Sequence, residues 1–424
     1  MNNNVNLKLK SNKPELLLPA GSLEGLKTAF LYGADAVYAG IPEISLRAKS
    51  KFPLEEIEEG VSFTRKAGKK IYFTLNLFSH NADISRIENF VKTIKNLNPD
   101  GVIVSDPGIF QYVKKEIPKM PVHVSTQANV CSWLTVDFWK NMDADLCVLG
   151  REVSFAQACE IRKRCEDIRL EIFVHGAMCV SYSGRCLMSA FMASRSANRG
   201  ACAHSCRWKY KSKLLLEEEL RPGEYLELEE DEHGSYILNS KDLCLMPKLD
   251  KILSAGFDSL KIEGRNKSEY YVAQTARIYR KAIDDYFESH ENWMADIYMK
   301  ELLTLQNRGY TLGFFDGIPG QEAQDYADTA SRSEWRNAGV VKENKNGALK
   351  IELRHKLKKG DEIEILSPLR FEPVKIKLDK MFDADHGRLV EEIAPGKTKQ
   401  SVIIQIEREI CSRVPENTVI RLKI

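Results

Sequence analysis

No stretch of this 424-residue chain approaches the ~20 uninterrupted apolar residues that a membrane-spanning helix requires, which excludes a helical membrane protein. Charge of one sign is not in excess either. Sixty-two Lys and Arg stand against 60 Asp and Glu, a net of +2, so no overwhelming basic balance announces a nucleic-acid binder. The opening Met1-Asn2-Asn3-Asn4-Val5 lacks the basic-then-apolar order of an export signal, which predicts a cytoplasmic protein. Low-complexity polar tracts are missing, and 43% hydrophobic residues spread along the chain exclude disorder. Hydrolytic motifs are absent as well: there is no H-E-x-x-H, no G-x-S-x-G and no Ser/His/Asp order among the eight histidines. A peptidase would then need its nucleophile from among the cysteines.

What is present is a rhythm. Near-continuous apolar runs occur at Glu15–Ala20, Ala34–Gly40, Lys70–Asn76, Gly101–Asp106, Pro121–Gln127, Ala144–Gly150, Leu170–Gly176 and Ser259–Gly264. Between them lie segments with helical spacing, such as Ile84, Ile87, Phe90, Val91 and Ile94. Strands apolar on both faces, separated by single helices, predict a parallel sheet covered on both sides. Eight of them predict an α/β, TIM-like (β/α)8 barrel over 13–330, closed by a helix near Ser268–Ser289. A doubly wound open sheet is the alternative, but no Gly-rich nucleotide loop supports it. Tyr236–Ser240 is a ninth strand candidate, which leaves the order of the last two barrel strands open by one element.

Two regions depart from the rhythm. An insertion after strand seven, about 177–240, carries a cysteine cluster and then two charged hairpin-like strands, Lys209–Glu219 and Glu224–Glu230. After a linker near Gln321–Ser333, residues 334–424 show short alternating strands and no amphipathic helix, which predicts a small C-terminal β-barrel domain. That segment holds 19 Lys and Arg against 15 Asp and Glu, a net of +4, and suits a mild contact with nucleic acid. A solvated charged face would look the same.

Ten cysteines in a reducing compartment need an explanation other than disulfides. Cys131, Cys147, Cys159, Cys165 and Cys411 are scattered and read as small buried hydrophobes. Cys179-x6-Cys186-x15-Cys202-x3-Cys206 is a cluster that suits a metal. Structural zinc favours paired C-x2-C knuckles, and none occurs. Uneven spacing in a Gly/Ser-rich loop is more typical of a [4Fe–4S] cluster. Arg185, Arg195 and Arg199 can offset its negative charge, and Gly176, Gly184 and Gly200 let backbone amides approach. Cys244 is a substitute ligand or a core residue.

The loop leaves the carboxyl end of strand seven, where barrel active sites assemble. Asn76, Gln127, His175, Glu263 and Arg265 also end strands and are candidates for one pocket. His175, Glu263 and Arg265 are the catalytic candidates, and Arg265 with Lys267 can hold a carboxylate or phosphate. A structural histidine and a Glu263–Arg265 salt bridge are the plainer alternatives.

The stretch EIFVHGAMCVSYSGRCLMS (Glu171–Ser189) resembles the signature of peptidase family U32, the collagenase-like peptidases. PELLLPAGSLEGLKTAFLYGADAVYAG, LNSKDLCLMPKLDKILSAGFDSLKIEGR, YRKAIDDY and NRGYTLGFFDG are similar to further family landmarks, so the resemblance spans nearly the whole chain. Despite the family's name, it implies an oxygen-independent hydroxylase with a [4Fe–4S] cluster on Cys179, Cys186, Cys202 and Cys206, and prephenate as source of the hydroxyl group. A barrel followed by a terminal β-domain, with the phrase RGACAHSCRWKY, is most similar to the branch that makes 5-hydroxyuridine at the wobble position of tRNA. Other branches act on ribosomal RNA or on ubiquinone precursors. On this reading the partner is the tRNA anticodon region. Asn76, Gln127 and Arg185 face the substrate, and Arg207, Trp208 and Lys209 supply phosphate and stacking contacts. A core anchoring role for Trp208 is the alternative.

Overall fold

The computed structural model describes residues 13–41, 52–178, 240–320, 333–345, 347–396 and 400–424. It also describes Cys186, residues 188–193, 195, 197, 202–207 and 323–324, and four two-residue strands between 216 and 235. Eight parallel strands form the first unit: β1 (Glu15–Ala20), β2 (Ala36–Ala39), β3 (Lys70–Leu75), β4 (Gly101–Val104), β5 (Val122–Val124), β6 (Leu146–Val148), β7 (Arg169–Ala177) and β8 (Ser259–Ile262). Each pairs with the next, and β8 pairs with both β7 and β1, so the sheet closes into a barrel. Closure rules out the doubly wound alternative.

Helices α1 (Leu23–Leu31), α2 (Leu54–Lys66), α3 (Ile84–Leu97), α4 (Pro107–Glu116), α5 (Trp133–Asn141) and α6 (Phe155–Arg164) follow the first six strands. Four of the six begin where the sequence provides a side-chain cap. Ser22, Asp106, Ser132 and Ser154 each accept a hydrogen bond from a first-turn amide. The long closing helix, here α9 (Glu269–Ser289), is capped in the same way by Ser268. Between β7 and α9 lie the short helices α7 (Met188–Ala193) and α8 (Leu249–Ser254), and α10 (Ala295–Leu302) follows.

The apolar residues between barrel and helices make one large core. The lumen differs. It holds Leu17, Ala36, Tyr38, Tyr72 and Ile103 together with a buried ion pair, Lys261 Nζ to Glu171 Oε1 at 2.8 Å. Lys261 also lies 4.6 Å from the centroid of Tyr38.

A three-residue strand, Asp242–Cys244, lies antiparallel to the end of β7, with Cys244 opposite His175 and Asp242 opposite Ala177. It sits outside the barrel and settles the order of the last strands: β8 closes the ring. Of the ninth strand candidate, Tyr236–Asn239 lie outside the described residues, and Ser240 bridges to Gln324. In the insertion, Leu216–Glu217 pairs with Tyr225–Leu226 and Glu230–Asp231 pairs with Gly234–Ser235.

From Trp335 the chain forms an eight-stranded antiparallel half-barrel with its own apolar core. Its central strand, Trp335–Lys345, lies between Val419–Lys423 and Ala348–Leu353. A buried polar clamp fixes it to the first unit. Arg421 donates to both carboxylate oxygens of Glu301 at 3.1 Å, to Glu364 Oε2 at 2.7 Å and to Thr304 Oγ1 at 2.9 Å. Tyr32 donates to the Leu366 carbonyl at 2.6 Å and accepts from the Val419 amide at 2.9 Å. No helix among the described residues is long and apolar enough to cross a membrane.

Candidate active site

The carboxyl ends of the barrel strands bring several polar groups together. Glu263, one residue beyond β8, is buried, and its Oε2 accepts from Tyr38 OH at 3.1 Å. Arg151 Nη2 lies 3.8 Å from the same oxygen, its guanidinium rests 4.1 Å over the Phe173 ring, and Nη1 donates to the Ala177 carbonyl. Arg265 donates to Thr74 Oγ1 at 2.7 Å. Across the ring, Asn76 Nδ2 donates to Ser125 Oγ at 3.4 Å, and Gln127 stands on the short turn Thr126–Ala128 after β5. Three atoms here are buried with no hydrogen-bond partner: Asn76 Oδ1, Gln127 Oε1 and Arg151 Nε. Buried polar atoms are normally paired, so a mouth with two uncommitted acceptors and a donor is prepared for a polar ligand.

Two glycines permit this close assembly. Gly176 has φ +119°, and a Cβ there would lie 2.6 Å from the Glu263 carbonyl oxygen. Gly264 has φ +153°, and a Cβ there would lie 2.6 Å from the Tyr271 ring. Any side chain would push β7 and β8 apart at the mouth.

His175 is placed differently from the other candidates. It is buried among Tyr271, Tyr279 and Tyr310, and its Nδ1 lies 3.4 Å from Tyr279 OH. Burial foremost pulls its pKa down to about 4, with Asp242 pulling upward and Lys267 pushing down. At neutral pH it is an uncharged imidazole in an aromatic cage that contacts the closing helix.

Strand β7 ends at Ala177, and the chain leaves it through buried Met178, one residue before Cys179. Cys179, Arg185, Trp208 and Lys209 lie outside the described residues, as does the side chain of Arg207, whose backbone ends the turn Ser205–Arg207. Cys186, Cys202 and Cys206 are half-buried. Ser189 organises the loop: its hydroxyl accepts from the Ala203 amide at 2.8 Å and donates to the Arg195 carbonyl at 2.6 Å. The His204 amide, on a residue with φ +56°, donates to Cys202 Sγ at 3.4 Å. Cys202 is thus addressed by a backbone amide, a contact that the sulfurs of cluster ligands also accept. Among the described residues no three His, Cys, Asp or Glu side chains converge on one metal position.

Of the remaining cysteines, Cys147, Cys165, Cys244 and Cys411 are buried, whereas Cys131 and Cys159, expected to be buried, are half-buried like the loop thiols. Burial pushes Cys131 and Cys159 up to about 11, and Cys147 and Cys244 up to about 12. Cys244 packs beside Tyr279 and Met299 and is a core thiol, not a thiolate.

Arg151 and Tyr38 are the mouth residues that sequence reasoning missed. Arg151 follows the run Leu146-Cys147-Val148-Leu149-Gly150, so the strand-end rule applied to Asn76 and Gln127 points to it equally. Tyr38 sits inside β2, where an aromatic reads as core.

Comparison with known proteins follows the same division of the chain. A model described as peptidase family U32 matches residues 21–325, and one described as the peptidase family U32 C-terminal domain matches 333–421. The chain is similar to tRNA hydroxylation protein P of Escherichia coli (strain K12), 38% identical over 84% of this chain and 86% of that protein. It is similar to tRNA hydroxylation protein P1 of Bacillus subtilis (strain 168), 40% identical over 89% of each. A protein named collagenase in Porphyromonas gingivalis is 30% identical over 92% of this chain and 97% of its own length.

Proposed function

The chain belongs to peptidase family U32, and from that premise we propose that it is an RNA-modifying hydroxylase that converts the wobble uridine of tRNA to 5-hydroxyuridine. The relatives named for tRNA hydroxylation, alike over most of the chain, support tRNA as the substrate rather than ribosomal RNA. The observation that carries the reading is the position of Arg151. It reaches the Ala177 carbonyl, two residues before Cys179, and Glu263 at the end of β8, which supports reading the cysteine loop and the polar mouth as one site.

In this reading Cys179, Cys186, Cys202 and Cys206 hold a [4Fe–4S] cluster, which would supply redox or Lewis-acid chemistry beside the mouth. The chain's own groups do the rest. One of the uncommitted acceptors of Asn76 and Gln127 takes the single N3–H of a flipped uracil, an inexpensive extrusion for a single-stranded anticodon base. Arg151 and Arg265 bind the carboxylates of a hydroxyl donor, with prephenate the donor proposed. Glu263, held by Tyr38, accepts the proton that C5 releases as the hydroxyl takes its place. The donor carbon that gives up the hydroxyl keeps the electron pair and is protonated, so the donor is reduced by the two electrons that the uracil loses. His175, neutral in its cage, fixes β7 against α9 and so positions the loop.

A peptidase reading has the collagenase relative in its favour. The buried histidines are poorly suited as bases: burial lowers the pKa of both His123 and His175. The deciding experiment is nucleoside mass spectrometry of tRNA from cells lacking this protein and any paralogue. Loss of 5-hydroxyuridine, restored by the wild type and not by Cys202→Ala, is the expected result. Unchanged 5-hydroxyuridine overturns the assignment.

A further inference from the structure

A second cavity, of about 240 Å³, lies at the seam between the barrel and the C-terminal half-barrel. It is outside the mouth but shares a wall with it. Lys267 lines the cavity two residues after Arg265, and Tyr271, also on the wall, donates to the Glu263 carbonyl at 2.7 Å. The opposite wall comes from the half-barrel through Trp335, Arg336, Asn337, Arg354 and His355.

The lining has three chemical features. Its ionisable side chains include Lys267, Arg336, Arg354 and His355 and no carboxylate. Glu352 pairs directly with Arg354 and Glu24 lies 3.9 Å from it, both from outside the lining, and Arg336 donates to the uncharged Ser333 and Trp335 carbonyls, so cations stay in the majority. Trp335 offers an aromatic surface whose ring is already held by Arg421, 4.3 Å away. Asn337 Oδ1 is buried and has no hydrogen-bond partner. Asn337 pairs with Arg421 across the strand, so the clamp that joins the two units also fixes this wall.

Inorganic phosphate would satisfy the cations but offers nothing to stack on Trp335. A ribonucleotide satisfies all three: phosphate for the cations, a base face for Trp335, and a ribose 2′-hydroxyl as donor to Asn337 Oδ1. The volume is just below the ~300 Å³ at which small-ligand pockets begin, so it suits one nucleotide and not a longer stretch.

We propose that the seam cavity seats one ribonucleotide of the RNA strand, distinct from the base at the mouth, and so sets which base reaches the mouth. The proposal rests on RNA being the substrate. Both domains contribute to it, so neither alone selects the strand.

The test uses the full-length protein and binding of tRNA between about 50 and about 200 mM salt, with melting as the control for folding. Asn337→Asp, close to isosteric, and His355→Glu each bring a carboxylate into the cavity. Each should weaken tRNA binding by about fivefold to tenfold at low salt and lower the salt slope by about one, with melting unchanged. Asn337→Ala should narrow the preference for an RNA stem-loop over its DNA copy. If the wild type binds tRNA and the variants match it in affinity and slope, the seam site is overturned and tRNA modification stands. If the wild type binds no tRNA, both fall. If uridine monophosphate binds in the seam and the variants abolish that without touching tRNA affinity, the site takes a free nucleotide and the proposal is overturned.

Discussion

Cysteines of the β/α scaffold and cysteines of the inserted loop are the same residue under opposite rules. Cys147 lies in the middle of β6 and Cys244 on the strand beside β7, both fully buried, both with thiols driven toward the protonated form. Cys186, Cys202 and Cys206 are half-buried in the loop, where Ser189 ties Arg195 to Ala203. The scaffold uses sulfur as volume, and the proposed cluster would give the loop's sulfur the role of ligand. Spacing along the chain separates most of the two groups; only burial decides Cys244, which lies 38 residues after Cys206 in a segment adjoining the insertion.

The sharpest way to break this comparison is to remove one thiol from each side. Cys202→Ala or Cys206→Ala should abolish both bound iron and hydroxylation in anaerobically prepared protein. Cys147→Ala and Cys244→Ala should keep iron and cost about 1–2 kcal/mol of stability each, the consequence of a small cavity. Iron analysis and thermal melts distinguish them. Iron retained in Cys202→Ala would end the distinction.

A second substitution tests whether scaffold groups behave as buried and paired everywhere. Arg421 is 2% exposed and serves Glu301, Glu364 and Thr304 at once. Arg421→Met leaves buried Glu364 without its close cation, while Glu301 keeps Arg277, so the cost should be about 3 kcal/mol. Calorimetry should show the half-barrel unfolding earlier, while the iron content is unchanged.

Much of the scaffold is legible in the sequence because parallel strands buried on both faces read as continuous apolar runs. The eight runs from Glu15–Ala20 to Ser259–Gly264 coincide with the eight barrel strands. The strand Asp242–Cys244 is not legible, since three residues carry no period and it exists by pairing with the over-long end of β7. The clamp is hidden for another reason: Glu301 and Glu364 lie 120 and 57 residues from Arg421, and only folding brings them together. At the mouth, Asn76, Gln127, Glu263 and Arg265 are found by position alone. Their actual partners, Tyr38, Ser125 and Thr74, are ordinary strand residues until the barrel closes.

Glu263 tests where scaffold ends and chemistry begins. Glu263→Gln keeps the volume and the acceptor for Tyr38 but removes the base, so hydroxylation should slow by about 100-fold or more. Bound iron should stay at the wild-type level. A variant of normal rate would make Glu263 part of the scaffold and reduce its role to packing against Gly176.

His175 lies on the boundary itself, four residues before Cys179, and makes the smallest and most specific difference. Unfolded, its imidazole takes up a proton as pH falls through about 6.5; folded, burial delays that uptake to about 4. Between those values the unfolded chain binds more protons, so the native state loses stability as pH drops and keeps it in full above about 6.5. From pH 7.5 to pH 5.5 the loss from this residue should be about 1 kcal/mol. His123, also held neutral by burial, acts in the same direction, but it is common to wild type and variant. Comparing the two therefore isolates His175: His175→Gln should flatten the acid limb of the stability curve by about that amount. If the variant instead follows the wild-type curve and loses only activity, His175 is in contact with solvent or substrate, and it belongs with the loop rather than the scaffold.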